Sequence, residues 1–314
     1  MDHLRLLSAT RGYFLRREAL ALGVDDRDLT RGVRKRSLVR IRQGAYCHRD
    51  VWNERSATDQ HLARAHAAQD LTPGPTALSH VSALAEYGAP LWHVPLDLVH
   101  LTRLDGGSSR CEAGVVHHRG ELTADEVAEH NGRVVTSPTR STLDALTIIT
   151  TESGLVAGDW MLAEELTDAG RLWTGKERMN HWPRTLKFEV VLRLLDGDSQ
   201  SVGESRSRYL FWQMGLPRPE LQYPIHDRFG TLLAITDFAW PRHHVFGEFD
   251  GRMKYGRRLV KENEEPGDVV FAEKRREDAI RRATGGTVVR FTWADLFAGS
   301  EPARQLRASL RQVA

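Results

Sequence analysis

The chain has 314 residues, with 44 Lys and Arg against 42 Asp and Glu and a formal net charge of +2. This length allows two or three domains, each with its own hydrophobic core. No stretch approaches the roughly 18 apolar residues of a membrane span, so we expect a globular, cytoplasmic protein without a membrane partner. Cys47 and Cys111 lie far apart in the sequence, which argues against a disulfide scaffold and a cysteine-built zinc site.

The first fifty residues predict two short helices joined by a tight turn. Apolar residues at helical spacing indicate a helix from Arg16 to Leu22, which Gly23 ends. Asp25 or Asp26 can cap a second helix that runs to about Arg36. The alternating segment LVRIRQGAY that follows predicts a small hairpin, or wing. Together these elements predict a winged helix-turn-helix domain.

Basic side chains gather on one side of this predicted domain, which spans residues 1–50. They are Arg27, Arg31, Arg34 and Lys35 on the exposed face of the second helix, and Arg40 and Arg42 on the wing. Guanidinium groups can pair with guanine edges in the major groove, while arginines of a wing can neutralise phosphates. The pattern predicts DNA binding, and a solvated basic face on a small helical domain is the alternative.

Residues 51–170 alternate helical and extended segments and predict a middle α/β domain. His117 and His118 are adjacent in an extended segment, and His80 and His93 lie elsewhere in this domain. Adjacent side chains on a strand point to opposite faces, so His117 and His118 cannot easily share one ion. We therefore expect solvated or hydrogen-bonded histidines here, with a metal site as the weaker alternative.

Three segments of the front part occur in a specific order: GYFLRREALALGVDDRDLTRGVRKRSLVRIRQGAY, LSHVSALAEYGAPLW and VVTSPTRSTLDAL. Together they resemble the AbiEi family, the antitoxin component of type IV toxin-antitoxin systems that act in phage defence. The resemblance covers Met1 to Ala169 and implies binding to promoter DNA, without catalysis from this half. A cognate toxin and a homodimer on paired half-sites are open partners, because many similar proteins stand outside any toxin pair.

The last part of the chain predicts a second α/β region behind a charged linker and helix in residues 171–198. Within residues 199–314, a helix capped by Ser199 or Ser201 ends at Gly215. Extended segments follow at residues 220–223, 232–240 and 245–250, and a basic helix precedes the final strand TVVRFTW. This order of elements predicts an α/β/α sandwich, so the whole chain is expected to be a multidomain α/β protein.

Carboxylates stand inside two of these strands, in the stretch ITDFAWPRHHVFGEFD. If residues 241–244 form a four-residue hairpin loop, Trp240 pairs with Val245 and Asp237 faces Glu248. Directly opposed carboxylates repel each other unless a cation lies between them. Oxygen ligands of this kind suit Mg²⁺ or Mn²⁺, and Asp250 projects from the same face as Glu248.

A metal centre of this type positions a water and stabilises charge during phosphodiester hydrolysis. The alternative is a bulge at Asp237, with Glu248 and Asp250 paired to arginines. Glu204 on the preceding helix supplies a further carboxylate, unless it forms only a solvated pair with Arg208.

Several motifs of this region occur in a fixed order: GESRSRYLFW, ITDFAWP, VFGEFDG and VVRFTWADL. They resemble the restriction-endonuclease-like superfamily, in the branch of the very-short-patch repair endonucleases. The resemblance implies metal binding by Asp237 and Glu248, a role near the metal for Asp250, and support from Glu204. The superfamily's commonest pattern has a lysine at the position of Asp250, so the general base stays open and Lys254 is a candidate substitute. Phosphate contacts are predicted from the basic helix and the final strand, at Lys274, Arg275, Arg276, Arg281, Arg282 and Arg290, with a solvated helix face as the alternative.

Two functions from different classes follow from these patterns. The favoured one is a metal-dependent endodeoxyribonuclease that its winged helix brings to DNA, because the chain retains the opposed carboxylates. The alternative is a non-catalytic DNA-binding autorepressor or antitoxin, which the front half favours. A binder of RNA or of a nucleotide is the weakest alternative, because no Gly-rich phosphate loop opens a helix.

Overall fold

The computed structural model describes residues 2–179, 186–251, 253–254, 257–258 and 280–311. The chain divides into two compact units, and we refer to residues 1–157 and 166–190 as unit 1 and to residues 158–165 and 191–314 as unit 2. Both units combine helices with a sheet, so the predicted mixed α/β, multidomain class is confirmed. Among the described residues, no helix is long and apolar enough to cross a membrane.

The N-terminal part of unit 1 has the predicted winged helix architecture. Its elements are α1 (Asp2–Arg11), β1 (Phe14–Leu15), α2 (Arg16–Ala21), α3 (Asp26–Arg34), β2 (Leu38–Arg42) and β3 (Ala45–His48), with the strands in the order β1-β3-β2. Gly23 adopts a φ of +78° between α2 and α3, the left-handed conformation that a tight turn needs. The Asp25 side chain caps α3 by accepting a hydrogen bond from the backbone N–H of Asp28 at 2.8 Å. Helix α3 ends at Arg34, two residues before the predicted end.

The rest of the front half builds a second, larger sheet. Its elements are α4 (Arg49–Glu54), α5 (Ala57–Leu71), β4 (Thr76–Leu78), α6 (His80–Tyr87), β5 (Val99–Arg103), β6 (Arg110–Glu112), β7 (Val115–Arg119), β8 (Val127–His130), β9 (Arg133–Thr136) and α7 (Pro138–Leu146). The six strands lie in the order β6-β7-β5-β4-β9-β8, and β5 and β7 are parallel neighbours. Helices α5 and α6 pack against β5.

Three further helices follow: α8 (Thr151–Ala163), α9 (Ala169–Arg178) and α10 (Leu186–Leu194). Helix α9 extends to Arg178, into the segment for which the sequence predicted a charged linker, and residues 180–185 of that segment lie outside the described residues. The Asp168 side chain caps α9 through the backbone N–H of Arg171, and buried Leu172 anchors the helix. The helix is hard to recognise in the sequence because most of its residues are exposed and many are charged, and only a narrow apolar stripe is buried.

Unit 2 is a four-stranded sheet with helical residues on both faces. Its elements are α11 (Val202–Gln213), β10 (Glu220–His226), β11 (Leu232–Trp240), β12 (Val245–Phe249), β13 (Met253–Lys254), β14 (Arg257–Arg258), β15 (Thr287–Phe291) and α12 (Glu301–Arg311). Strands β10, β11, β12 and β15 lie in that order, and only the β12–β15 pair among these is parallel. Residues 280–284 are helical, and β13 and β14 form a separate two-stranded pair.

Alternate side chains of this sheet enter two different hydrophobic clusters. Phe238 and Trp240 pack with Phe211 of α11 and Leu306 of α12 on one face. Residues of the opposite parity, including Ala239, Phe246 and Val288, pack with Ile280 on the other face. Alternate side chains of each strand point to opposite faces of the sheet, and each face packs against apolar side chains of helical residues.

The start of α11 is held close to β12 by a glycine. A Cβ atom at Gly203 would lie 1.8 Å from Cε1 of Phe249, so no larger residue fits there without movement. The Ser201 side chain caps the helix, accepting from the backbone N–H of Glu204 at 3.2 Å. The predicted cap and the predicted stop at Gly215, which adopts a φ of +67°, are both present.

We expect Gly203→Ala to destabilise unit 2 by about 1–3 kcal/mol, because the added methyl group overpacks a site that cannot expand freely. Urea unfolding of the full chain measures this change. Gly170→Ala is the matched control, since Gly170 is also the second residue of a helix and should change stability by less than about 1 kcal/mol. Equal effects of the two substitutions would contradict the close approach.

A buried ion pair lies inside unit 2. Arg208 Nη1 donates to Asp159 Oδ2 at 2.6 Å, and Ser205 Oγ donates to the same carboxylate oxygen at 2.7 Å. The side chains of Arg208 and Asp159 are 4% and 1% exposed. Burial raises the pKa of Asp159 to about 6, although the Arg208 guanidinium opposes this shift. The solvated Glu204–Arg208 pair considered from the sequence is not formed, because Arg208 turns to Asp159.

We expect Asp159→Ala to lower the free energy of unfolding by about 3–5 kcal/mol, because the substitution leaves the Arg208 charge buried without its partner. Asp28→Ala removes an exposed ion pair with Arg31 and should cost less than about 1 kcal/mol. Denaturant unfolding of both variants, followed by circular dichroism, makes the comparison. A cost for Asp159→Ala as small as for Asp28→Ala would contradict a buried pair.

Candidate nucleic-acid interface and carboxylate site

The basic face predicted on the winged helix is exposed. Arg27, Arg31, Arg34 and Lys35 on and just after α3 are all exposed, as is Arg40 on β2. Opposite them within the domain, Leu29 is buried with Leu4, Phe14 and Ala19, which fixes the rotation of α3. The cations of the helix face solvent because its apolar stripe packs into the core on the opposite side.

Acidic groups occupy the first turn of α3. Asp26 forms an ion pair with Arg16, and Asp28 accepts from Arg31 Nη1 at 2.7 Å. These carboxylates lie at the positive end of the helix dipole, and the cations Arg31 and Arg34 lie in the last turn. The positive charge of the face is therefore concentrated toward the C-terminal end of α3.

Arg42 differs from the other predicted DNA contacts. Its side chain is half-buried, and burial lowers its pKa, with the Glu112 carboxylate opposing the shift. The β2–β3 register shifts between Arg40 and Arg42, so the two side chains do not follow simple alternation. The sequence pattern of alternating arginines could not reveal this irregularity, and Arg42 is less accessible to a ligand than Arg40.

Of the basic helix predicted near the C-terminus, only residues 280–284 are described. Arg281 and Arg282 are exposed on the helical residues 280–284. Lys274, Arg275 and Arg276 lie outside the described residues.

The hairpin that carries the carboxylates has the predicted register. Trp240 pairs with Val245 and Phe238 pairs with Gly247, and the next step of this ladder places Asp237 opposite Glu248. The loop is a single helical turn from Pro241 to His243. Both carboxylates belong to the sheet face of Ala239 and Phe246, opposite to the face that α11 covers.

A backbone amide and an arginine contact the two carboxylates. Phe249 N–H donates to Asp237 Oδ2 at 2.7 Å, which gives Asp237 a fixed orientation on the sheet. Arg290 faces Glu248 in the parallel β12–β15 register, and its Nε lies 3.4 Å from Glu248 Oε2. Arg290 thus reaches the carboxylate site, where the guanidinium balances negative charge.

Glu204 lies in the first turn of α11 and contacts the edge strand β10. Its carboxylate accepts from Gln200 N–H at 2.9 Å, Ser201 Oγ at 2.8 Å and Gln222 Nε2 at 3.1 Å. Burial raises the pKa of Glu204, and these three donors oppose the shift. Gln222 lies between the paired residues Leu221 and Tyr223 of β10, with a φ of +46° that is rare for a residue with a side chain. Such strain is concentrated at functional sites in folded proteins.

Two further predicted residues lie beyond the end of β12. Asp250 donates its backbone N–H to the carbonyl of Phe291 at 2.8 Å, which continues the β12–β15 ladder by one residue. Lys254 is on β13, and its side chain lies outside the described residues. Within the described chain, the carboxylates near Asp237 and Glu248 do not form a group of three whose oxygens all lie within 4.8 Å of one another.

The donor set at Asp237 and Glu248 fits a hard divalent cation. Both side chains supply carboxylate oxygen, the ligand type that Mg²⁺ and Mn²⁺ prefer. A carboxylate has about four lone-pair sites, so one contact to an amide or an arginine is compatible with a metal bond. Mg²⁺ usually takes only one or two protein carboxylates and keeps several waters, which suits a pair of acids.

Three histidines of unit 1 form hydrogen bonds within a group that the sequence did not predict: His100 Nδ1 lies 2.9 Å from His118 Nε2, and His80 Nδ1 lies 3.0 Å from Ser79 Oγ. His80 and His118 meet, together with His100, which the sequence did not single out as a ligand. His117 points away from this group, as alternation along β7 requires, and His93 is not part of it. The three rings are far apart in the sequence, so only the fold brings them together.

Comparisons with known proteins concern the front of the chain. Residues 3–47 match the family described as "Transcriptional regulator, AbiEi antitoxin". Two uncharacterised proteins of Mycobacterium tuberculosis, from strains CDC 1551 / Oshkosh and H37Rv, are each 42% identical over 60 residues, which cover 19% of this chain and 22% of each relative. The chain thus spans about a fifth of the length of the curated relatives it matches. The family match coincides with the winged helix and supports the interpretation of this domain as that of a DNA-binding transcriptional regulator.

Proposed function

We propose that the protein binds duplex DNA through its winged helix and acts as a transcriptional regulator of the AbiEi antitoxin type. The observation that carries this proposal is the exposed basic face of α3 inside a domain whose sequence matches that family. Helix α3 is the second helix of the helix-turn-helix, the one that enters the major groove in such domains.

The distribution of charge on α3 suggests that some of its side chains contact bases and others contact phosphates. Asp26 and Asp28 in the first turn can accept hydrogen bonds from cytosine amino groups, whereas Arg31 can pair with guanine. Arg34, Lys35 and Arg40 supply phosphate contacts, which position the helix without reading sequence. A homodimer on paired half-sites and a cognate toxin are the partners that this function would involve.

We expect the double substitution Arg31→Ala, Arg34→Ala to weaken binding to the operator duplex and to reduce the slope of log K against log salt by about one unit, since it removes one base contact, at Arg31, and one phosphate contact, at Arg34. Fluorescence anisotropy at several salt concentrations measures both quantities.

Arg171→Ala is the matched control for this experiment. Arg171 is also exposed on a helix and paired at i,i−3 with an aspartate, Asp168, as Arg31 is with Asp28. The control should leave affinity and slope unchanged. If the double variant kept the wild-type slope, α3 would not be the helix that contacts DNA.

A second function is favoured by the opposed carboxylates of unit 2, namely metal-dependent hydrolysis of DNA phosphodiester bonds. Asp237 and Glu248 would hold Mg²⁺ or Mn²⁺, which when bound supplies Lewis-acid stabilisation of the charge that develops on the phosphate. Arg290 lies beside Glu248 and can contact a non-bridging phosphate oxygen. Glu204 and the strained Gln222 would orient groups at the edge strand β10, and Asp250 and Lys254 are the remaining candidates for contact with the attacking water.

We expect full-length protein to nick or linearise supercoiled plasmid with Mg²⁺ or Mn²⁺ and not with EDTA. Asp237→Asn and Glu248→Gln should each reduce cleavage at least about 100-fold, because each removes a ligand charge while keeping the side chain's shape. Agarose gel electrophoresis of time courses measures the rates.

Glu220→Gln is the control for the carboxylate variants, because Glu220 is an exposed glutamate on the same sheet. It should cleave like the wild type. Plasmid left intact by the wild type under every metal condition would exclude the nuclease and leave a non-catalytic regulator, whose DNA affinity the same variants should not change.

A further inference from the structure

Three histidines from three elements of unit 1 meet in its interior. His80 is the first residue of α6, and His100 and His118 lie on the neighbouring parallel strands β5 and β7. One nitrogen of each ring lies within 4.8 Å of the others. His100 Nδ1 and His118 Nε2 are 2.9 Å apart, and the rings of His80 and His118 stack with centroids 3.7 Å apart.

This arrangement differs from that of a structural core histidine in the same unit. His61 is buried, with Nδ1 3.0 Å from the carbonyl of Leu96 and Nε2 3.0 Å from Ser82 Oγ. Each nitrogen of His61 therefore has an oxygen partner, as is usual for buried polar groups. In the cluster, nitrogens of His100 and His118 face each other instead, and His80 joins them at a φ of +51°, a left-handed conformation that is rare for a residue with a side chain.

A buried carboxylate stands behind His80. Asp144 Oδ1 accepts from Arg140 Nε at 2.8 Å, and Asp144 Oδ2 lies 4.0 Å from His80 Nδ1. Asp144 is 1% exposed, and within the described residues its Oδ2 has no hydrogen-bond partner. Metal-bound histidines typically have such a carboxylate close to the nitrogen that does not bind the ion. His80 Nδ1 also contacts Ser79 Oγ at 3.0 Å, which assigns its Nε2 to the cluster.

We propose that His80, His100 and His118 bind one zinc-class divalent cation through one nitrogen each, with water as the fourth ligand. Three imidazoles suit Zn²⁺, whose bonds of about 2.0–2.1 Å place tetrahedral ligand atoms about 3.3 Å apart. His100 Nδ1 and His118 Nε2, 2.9 Å apart, are close to this spacing, and the stacked rings of His80 and His118 rotate when both direct their lone pairs at one ion. The ion ties the first turn of α6 to two strands of the six-stranded sheet and is independent of the proposed DNA binding and of the carboxylate site.

The test uses the full chain. A chelator first removes any bound metal, the protein is then incubated with Zn²⁺ in the presence of excess Mg²⁺, and unbound metal is removed by desalting. The excess Mg²⁺ competes with Zn²⁺ for carboxylate sites, because carboxylate oxygen also suits Mg²⁺. It does not compete for imidazole nitrogen, which suits Zn²⁺. Elemental analysis should find about one Zn²⁺ per wild-type chain and close to none in His118→Gln and His100→Gln. Zinc should also raise the melting temperature of the wild type and leave that of both variants unchanged.

His117→Gln is the matched control, because His117 is the adjacent histidine on β7 and belongs to the other face. It should retain zinc like the wild type. Should the His118 and His100 variants fail to fold, Co²⁺ added to the wild type decides: intense visible absorption that Zn²⁺ abolishes supports the site. No zinc in the wild type, absence of such absorption, or equal retention by folded His118→Gln and His100→Gln would overturn the proposal.

Discussion

The register of the β11–β12 hairpin is the constraint on which the chemistry of unit 2 depends. Pairing of Trp240 with Val245 places Asp237 opposite Glu248, while Phe238 and Phe246 enter the two hydrophobic clusters on opposite faces. A slip by one residue would move apolar side chains out of both clusters, so burial fixes the register. The energy that holds the two carboxylates together therefore comes from apolar packing on both sides of the sheet.

A similar relation holds for the winged helix. Burial of Leu29 against Phe14 and Leu4 sets the rotation of α3, and the cations on the other side of the helix are exposed as a consequence. The cap at Asp25 and the left-handed turn at Gly23 fix where the helix begins. Local sequence thus determines which side chains can reach a ligand in this domain.

Local interactions are also what the sequence predicts best. The helix-turn-helix, the hairpin loop and the strand from Leu232 to Trp240 depend on caps, glycines and alternation within a few residues, and all three were predicted correctly. The pairing of Arg208 with Asp159 and the ordered helix α9 were missed. These features depend on partners far along the chain or on a narrow apolar stripe, which no local pattern encodes.

The candidate sites divide in the same way. The pairing of Trp240 with Val245 could be predicted because a short loop connects their strands, whereas Arg290 reaches Glu248 only through the parallel β12–β15 pairing. His80, His100 and His118 lie close together only in the folded structure, where β5 and β7 are neighbours in the six-stranded sheet. His117 is adjacent to His118 in the sequence, but its side chain points to the other face of β7 and it is not part of the group.

The proposed contact of α3 and the wing with DNA can be tested by photo-crosslinking. A photoreactive amino acid would replace Arg34, Arg40 or Arg171 in turn, and each protein would be irradiated with labelled operator duplex. We expect crosslinks from positions 34 and 40 and none from position 171, because only the first two lie on the exposed basic face of the winged helix. Crosslinks from position 171 alone, or from all three positions equally, would contradict DNA binding by this face.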